Sequence, residues 1–193
     1  MTDDIHLTRR RSDTEWTVIS RAGLIIKRYK ILTLKGFIKG RWRREHAALL
    51  RLEAKNVPAP RTHSVTREAK NIYTHQREKL SGTPLLTWDS DKAEELGRYI
   101  ARVHQAGVTL GDMATDNFLI TDAGHLVFID YGRARVFVWR GVTFYWHASK
   151  DLARTKQYLL AKDADLIRAL YRGYRASAKV SGAGLLNFFE RFW

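Results

Sequence analysis

The sequence predicts an α+β fold in two lobes, because strand-like segments fill its first part and helix-like segments its second. Its 193 residues suit one domain or two small lobes. Hydrophobic residues make up 45% and prolines number three, a composition that can bury a core.

Trp16 to Ser20 and Gly23 to Tyr29, rich in β-branched and aromatic residues, predict two short strands around a turn at Arg21-Ala22. From Gly40 to Lys55 the spacing turns helical: Trp42, Glu45, Leu49 and Leu52 share a stripe, and Pro58 and Pro60 mark the end. Asn71 to Leu80 reads as a polar strand before a Ser81-Gly82 turn. A second helix, capped by Ser90 or Asp91, carries Leu96, Tyr99, Ile100 and Val103 on its apolar stripe and ends at Gly107. A hairpin follows: Phe118 to Ile120, a turn over Thr121 to Gly124, then Leu126 to Ile129. From about Ser149 the pattern is helical, with Leu152, Leu159, Leu166, Ile167 and Leu170 apolar. One domain over 1–193 is thus expected: an N-terminal lobe to about residue 80, with an antiparallel sheet and one helix, and a mostly helical C-terminal lobe from about 87.

Cysteine is absent, so neither a disulfide framework nor a thiolate metal site can form. His6, His46, His63, His75, His125 and His147 lack the spacing of zinc ligands. The longest apolar stretch, Val136 to Trp146, is eleven residues with Arg140 inside it, short of the ~18–20 that span a bilayer. The start MTDDIHLTRRR has no apolar signal core, so a cytoplasmic protein is expected. The net charge of +14 attracts polyanions, and nine of the basic residues fall between Arg21 and Arg44 without an acid. That run is either an ordinary solvated face or a contact for an anionic membrane surface. Aromatic and basic residues form no known nucleic-acid motif, so charge alone assigns no such partner.

The chemistry concentrates in HQAGVTLGDMATDNFLITDAGHLVFIDYGRAR, His104 to Arg135. Asp112 lies in a loop between helix and hairpin, Asn117 follows, and Asp130 ends an apolar strand before Tyr131-Gly132. Two carboxylates and a carboxamide at strand ends offer hard oxygen ligands to Mg²⁺, the ion that phosphoryl transfer uses to neutralise phosphate charge.

This set resembles the catalytic and metal-binding loops of the protein-kinase-like superfamily. The Gly111-Asp112 form, Asn117 to Ile120 and Asp130 to Arg133 are most similar to bacterial lipopolysaccharide core kinases, which phosphorylate heptose or Kdo. The resemblance implies a small bilobal protein-kinase-like fold with a reduced N-terminal lobe, using ATP and Mg²⁺. It makes Asp112 the residue that meets the acceptor hydroxyl and Asn117 and Asp130 the metal ligands. Lys27 would grip phosphate with Glu45 as its ion-pair partner, and Glu78 to Leu80 would form the hinge that holds adenine. The implied acceptor is lipopolysaccharide core glycan at the inner face of the inner membrane. A one-residue change of register would exchange Lys27 for Arg28 or Lys30, and Glu53 competes with Glu45. No G-x-G-x-x-G precedes Lys27, so either Arg9-Arg10-Arg11 covers the phosphates or the cover is missing. Leu110-Gly111-Asp112 replaces His-Arg-Asp, and no Lys lies between Asp112 and Asn117. A small tRNA-associated Ser/Thr kinase shares the Gly-Asp loop and is the alternative enzyme; a pseudokinase binding module is the non-enzymatic one. His104 reads as a core or capping histidine, and Asp151 as a residue that orders the loop or caps a helix. The aromatics of Val136 to Trp146, like Phe188, Phe189, Phe192 and Trp193, suit either packing or a lipid or glycan contact.

Overall fold

The computed structural model describes residues 4–160 and 163–178, so Phe188, Phe189, Phe192 and Trp193 lie outside the described residues. Strands β1 (Asp4–Arg10), β2 (Thr14–Arg21) and β3 (Leu24–Ile31) come first. Arg21 pairs with Leu24, so the β2–β3 turn is Ala22-Gly23, one residue later than the sequence predicts. Both turn residues have positive φ, 47° and 78°, the conformation that a two-residue hairpin needs to match strand twist.

Helices α1 (Leu34–Lys39) and α2 (Arg41–Glu53) follow, then β4 (Thr62–Ala69) and β5 (Ile72–Glu78). The five strands form one antiparallel sheet, ordered β1-β2-β3-β5-β4. The sequence pattern does not single out β1 or β4. Both are edge strands, where one partner suffices and an apolar face is not required, so their polar residues hide them. The lobe also holds two helices where one is expected. Thr33 caps α1 by accepting from the Gly36 N–H, and Gly40 (φ 47°) turns the chain into α2.

Side chains alternate along β3: Lys27, Tyr29 and Ile31 are buried, while Arg28 and Lys30 are exposed. The buried face packs Tyr29, Ile31 and Tyr73 against Trp16 and Trp42, whose ring stacks on Tyr73 at 4.2 Å. The later turns of α2 serve the other lobe. Ala48, Leu49 and Leu52 enter the large core with Leu96, Tyr99, Ile100 and Val103. One helix therefore couples the sheet to the C-terminal lobe.

After β6 (Gly82–Pro84) comes α3 (Ser90–Gln105), capped by Asp89, whose carboxylate accepts from the Lys92 N–H at 2.8 Å. The cap is thus one residue earlier than predicted. Short strands β7 (Val108–Thr109), β8 (Phe118–Thr121), β9 (Leu126–Phe128) and β10 (Arg135–Val136) frame the loops between them. Helices α4 (Val142–Leu160) and α5 (Ala164–Ser177) complete the described chain. α4 starts at Val142 and not near Ser149: its β-branched and aromatic first turns are poor helix formers, yet Phe144 and Tyr145 are buried, and packing overrides propensity. Of the aromatic segment, Phe144 and Tyr145 pack, whereas Val138 and Trp139 are exposed. α3 and α5 cross so closely that a Cβ on Gly97 would stand 2.0 Å from the Leu170 carbonyl oxygen. Among the described residues no helix is long and apolar enough to cross a membrane.

Candidate active site

The site grows from β3 and α2. Lys27 points inward from β3, and Glu45 lies on the α2 face that meets the sheet, fully buried. The Lys27 ammonium donates to Glu45 Oε1 at 2.9 Å and Oε2 at 3.1 Å, and to Asp130 Oδ1 at 3.0 Å. Arg28 and Lys30 face solvent, and Glu53, the competing acid, is exposed at the end of α2. The Tyr29 hydroxyl also donates to Glu45, at 2.8 Å, and Arg77 Nε stands 3.4 Å from the same carboxylate. Burial alone would push the Glu45 carboxyl up; Lys27 and Arg77 outweigh it and hold it below the ordinary value. Asp130 behaves alike: burial raises it, and Lys27 with the Gly132 N–H brings it down.

Arg77 was not singled out by the sequence reading. It lies on β5 with its guanidinium in the Glu45 cluster and donates to the Ile129 carbonyl at 3.0 Å, which ties the sheet to the residue before Asp130. The alternation Tyr73, His75, Arg77 on one strand was the available signal, obscured because the strand is mostly polar and Thr74 between them is buried as well. His75 is buried beside Glu45, and burial pushes it down to about 4 against the opposing pull of Glu45.

The hairpin register puts Phe118 opposite Phe128, and the Ile129 N–H donates to the Asn117 carbonyl at 2.9 Å. Asn117 and Asp130 are therefore held side by side at one end of the hairpin. The Asn117 amide donates to the Asp112 carbonyl at 3.3 Å, which leaves its side-chain oxygen as an acceptor. Asp130 keeps a second carboxylate oxygen beyond the one bound to Lys27, and its side chain is 47% exposed. The chemistry of these two oxygen donors fits Mg²⁺, which keeps most of its hydration and takes few protein ligands.

Asp112 meets Arg133, Nη1 to Oδ2 at 3.1 Å, a pairing that sequence spacing did not suggest. Behind the loop, Asp151 is buried and accepts from the Leu110 N–H at 2.7 Å and the Gly111 N–H at 2.8 Å. His104 Nε2 lies 3.3 Å from the same carboxylate, and its Nδ1 is 2.9 Å from the Tyr174 hydroxyl. Arg154 donates to the Gly111 carbonyl. Loop order at Asp112 thus rests on α3, α4 and α5 together.

The β1–β2 turn reaches the Lys27 and Asp130 side of the site. Arg9 and Arg11 line a cavity of about 50 Å³ together with Lys27, Asp112, Asp130 and Gly132. At the expected hinge, the Glu78 N–H donates to the Arg61 carbonyl at 2.8 Å, and its own carbonyl accepts from Arg77 at 3.2 Å. Glu78 is therefore engaged at the end of β5, and Leu80 lies beyond the strand end. The basic run from Arg21 to Arg44 does not form a single face: Lys27 is buried, Arg28 pairs with Glu68, Lys39 with Asp13, and Arg43 donates to the Phe37 carbonyl.

No family model matches the chain. Among curated proteins it is similar to the EKC/KEOPS complex subunit BUD32 of Encephalitozoon cuniculi, 34% identical over 122 residues, 60% of this chain and 58% of that protein. It is also similar to a probable bifunctional tRNA threonylcarbamoyladenosine biosynthesis protein of Methanococcus maripaludis, 29% identical over 110 residues, 55% of this chain and 20% of that protein. The chain therefore spans less than two thirds of the length of either relative. Among solved structures it resembles WbdD bound to the kinase inhibitor LY294002, at TM-score 0.55 and 17% identity over 95% of this chain and 47% of that one. An aminoglycoside phosphotransferase from Alicyclobacillus acidocaldarius superposes at TM-score 0.61 and 13% identity over 90% of this chain and 74% of that one. At such identities the structures speak for the fold alone. Neither of these two sequence relatives is named as a lipopolysaccharide core kinase. The chain has an α+β, protein-kinase-like fold, and its relatives support a kinase-like phosphotransferase.

Proposed function

We propose that the chain is an ATP- and Mg²⁺-dependent kinase of the small tRNA-associated type, transferring the γ-phosphoryl group to a Ser or Thr hydroxyl. One observation carries the kinase part of this reading, the acceptor class resting on the sequence relatives: Lys27 is shared between buried Glu45 and Asp130, at 2.9 and 3.0 Å, in a cleft whose wall includes Asp112. Glu45 holds a flexible ammonium at the point where it meets phosphate oxygens. Asn117 and Asp130 would hold Mg²⁺, which, when bound, neutralises charge on the phosphates. Asp112 orients the acceptor hydroxyl and accepts its proton as the oxygen bonds to phosphorus and the bond to the ADP oxygen breaks. Arg9 and Arg11 supply cations that a glycine-rich loop would replace with backbone N–H groups. Arg133 beside Asp112 stands in for the lysine absent between Asp112 and Asn117.

The test uses the full chain with γ-labelled ATP, Mg²⁺, an acceptor protein and, in parallel, lipopolysaccharide core oligosaccharide. Label on Ser or Thr is expected, on the acceptor or on the chain itself. Asp112→Ala should abolish transfer and keep ATP binding; Asp130→Ala should lose Mg²⁺-dependent binding as well. Label found on the oligosaccharide alone would return the acceptor to a sugar, and an absence of nucleotide binding would leave a pseudokinase module.

A further inference from the structure

Next to the cleft lies a second, larger cavity of about 290 Å³. Arg41 and Arg44 of α2, Arg133 and Arg135 of the segment after Asp130, and Lys150 and Arg154 of α4 line it. The one acid on its wall, Asp151, is buried and turned to the Leu110 and Gly111 N–H groups and His104. Among the described residues no carboxylate pairs with Arg44 or Arg135. Burial first, and neighbouring arginines next, hold Arg44 and Arg41 below the ordinary arginine value. Packing like charges around one cavity costs stability unless an anion occupies it.

We propose that this cavity seats a phosphomonoester group carried by the acceptor, which places the hydroxyl to be phosphorylated at Asp112. The proposal rests on the phosphotransferase reading above. Three features carry it. The cavity shares Arg41, Gly132 and Arg133 with the Asp112 cleft, so a group bound there is next to the reacting atoms. Arg133 bridges the two, with its guanidinium 3.1 Å from Asp112. The cations come from α1, α2, the segment after Asp130 and α4, Lys39 of α1 being paired with Asp13, and surround one compact space. A monoester dianion with three acceptor oxygens matches that arrangement and the fork geometry of arginine. A nucleic-acid strand, with one charge per phosphodiester, calls for cations in a row along a groove. The run Arg21 to Arg44 thereby acquires a specific reason for two of its members, Arg41 and Arg44.

The experiment titrates the full chain calorimetrically in 0.15 M salt, with the nucleotide site saturated by a non-hydrolysable ATP analogue and Mg²⁺. The probes are inorganic phosphate, O-phosphoserine and dimethyl phosphate. Phosphate and phosphoserine should bind, and dimethyl phosphate at least tenfold more weakly. Arg44→Gln with Arg135→Gln should weaken phosphoserine binding at least tenfold, whereas Lys30→Gln with Lys55→Gln, the same charge change at exposed positions, should not. Phosphoserine should also inhibit transfer competitively against the acceptor and not against ATP. Tighter binding of phosphoserine than of phosphate would assign the group to a protein acceptor; equal binding would show that the phosphate alone is read. Equal binding of dimethyl phosphate would point to a nucleic-acid backbone and overturn the proposal, as would equal loss in both double variants. Lys27→Met should lose the ATP analogue and keep phosphoserine. If wild type also fails to bind the analogue while phosphoserine binds, only the nucleotide reading falls.

Discussion

Glu45→Gln tests the centre of the site through stability rather than turnover. The carboxylate is fully buried, bonds Lys27 at 2.9 and 3.1 Å, accepts from Tyr29 at 2.8 Å and lies 3.4 Å from Arg77. Glutamine keeps the shape and one acceptor oxygen but leaves two buried cations facing an amide. Removing one partner of a buried pair costs about 3–5 kcal/mol, and the upper part of that range is expected because two cations are affected. Lys27→Met should cost less, about 2–3 kcal/mol, since Arg77 and Tyr29 continue to serve Glu45. In the double variant Arg77 still faces the amide, so its loss should be near that of Glu45→Gln alone. The coupling energy is then about 2–3 kcal/mol. Urea unfolding at pH 7.5, followed by tryptophan fluorescence, measures all four proteins. Losses that add within about 0.5 kcal/mol would show that the pair is not energetically joined, and the reasoning would be wrong.

Stability should also fall with acid in two stages. His75 is held at about 4 in the folded chain against an ordinary 6.5, so the unfolded chain binds the extra proton between those values. Its contribution is full above pH 6.5 and is lost as pH falls to 4, on the order of 3 kcal/mol; a His75→Gln protein whose curve keeps the same slope over that window would remove His75 as its origin. Glu45, depressed below 4.5, contributes above that pH and loses its contribution only as pH falls through its folded value. Gly97→Ala should cost about 3 kcal/mol, because its Cβ would meet the Leu170 carbonyl oxygen at 2.0 Å and force α3 from α5. Gly124→Ala, with φ 78° and nothing within 4 Å, should cost only about 1–2 kcal/mol by urea unfolding; equal losses would deny the close crossing. Asp151→Asn should lower kcat with little change in ATP binding, as one of the acceptors for the Leu110 and Gly111 N–H groups becomes a donor. An unchanged kcat would separate the loop from that anchor.

Much of the fold was legible in the sequence because it depends on local pattern. The stripe Glu45, Leu49, Leu52 marked α2, and the alternation along β3 put Lys27 and Tyr29 on the face opposite Arg28 and Lys30. Asp112, Asn117 and Asp130 stood out as candidates because a loop and a strand end lie on either side of one predicted hairpin, and the observed β8–β9 hairpin does lie between them. Strands β1 and β4 escaped because an edge strand needs no apolar face, and the start of α4 because its burial contradicts its propensity.

Tertiary structure decided whatever depends on contacts remote in sequence. Arg77 joins Glu45 only because β5 lies beside β3, and Arg133 reaches Asp112 only after the chain has passed through the hairpin. The same holds for charge. Composition specifies an excess of 14 positive charges, which any arrangement of the chain would carry. Folding draws Arg41, Arg44, Arg133, Arg135 and Arg154 from three elements around one cavity, and only there do scattered cations become a site for an anion. Electrostatic energy depends on distances between groups, and those distances are set by packing α2 and α4 against the loop at Asp112, not by the order of residues in the chain.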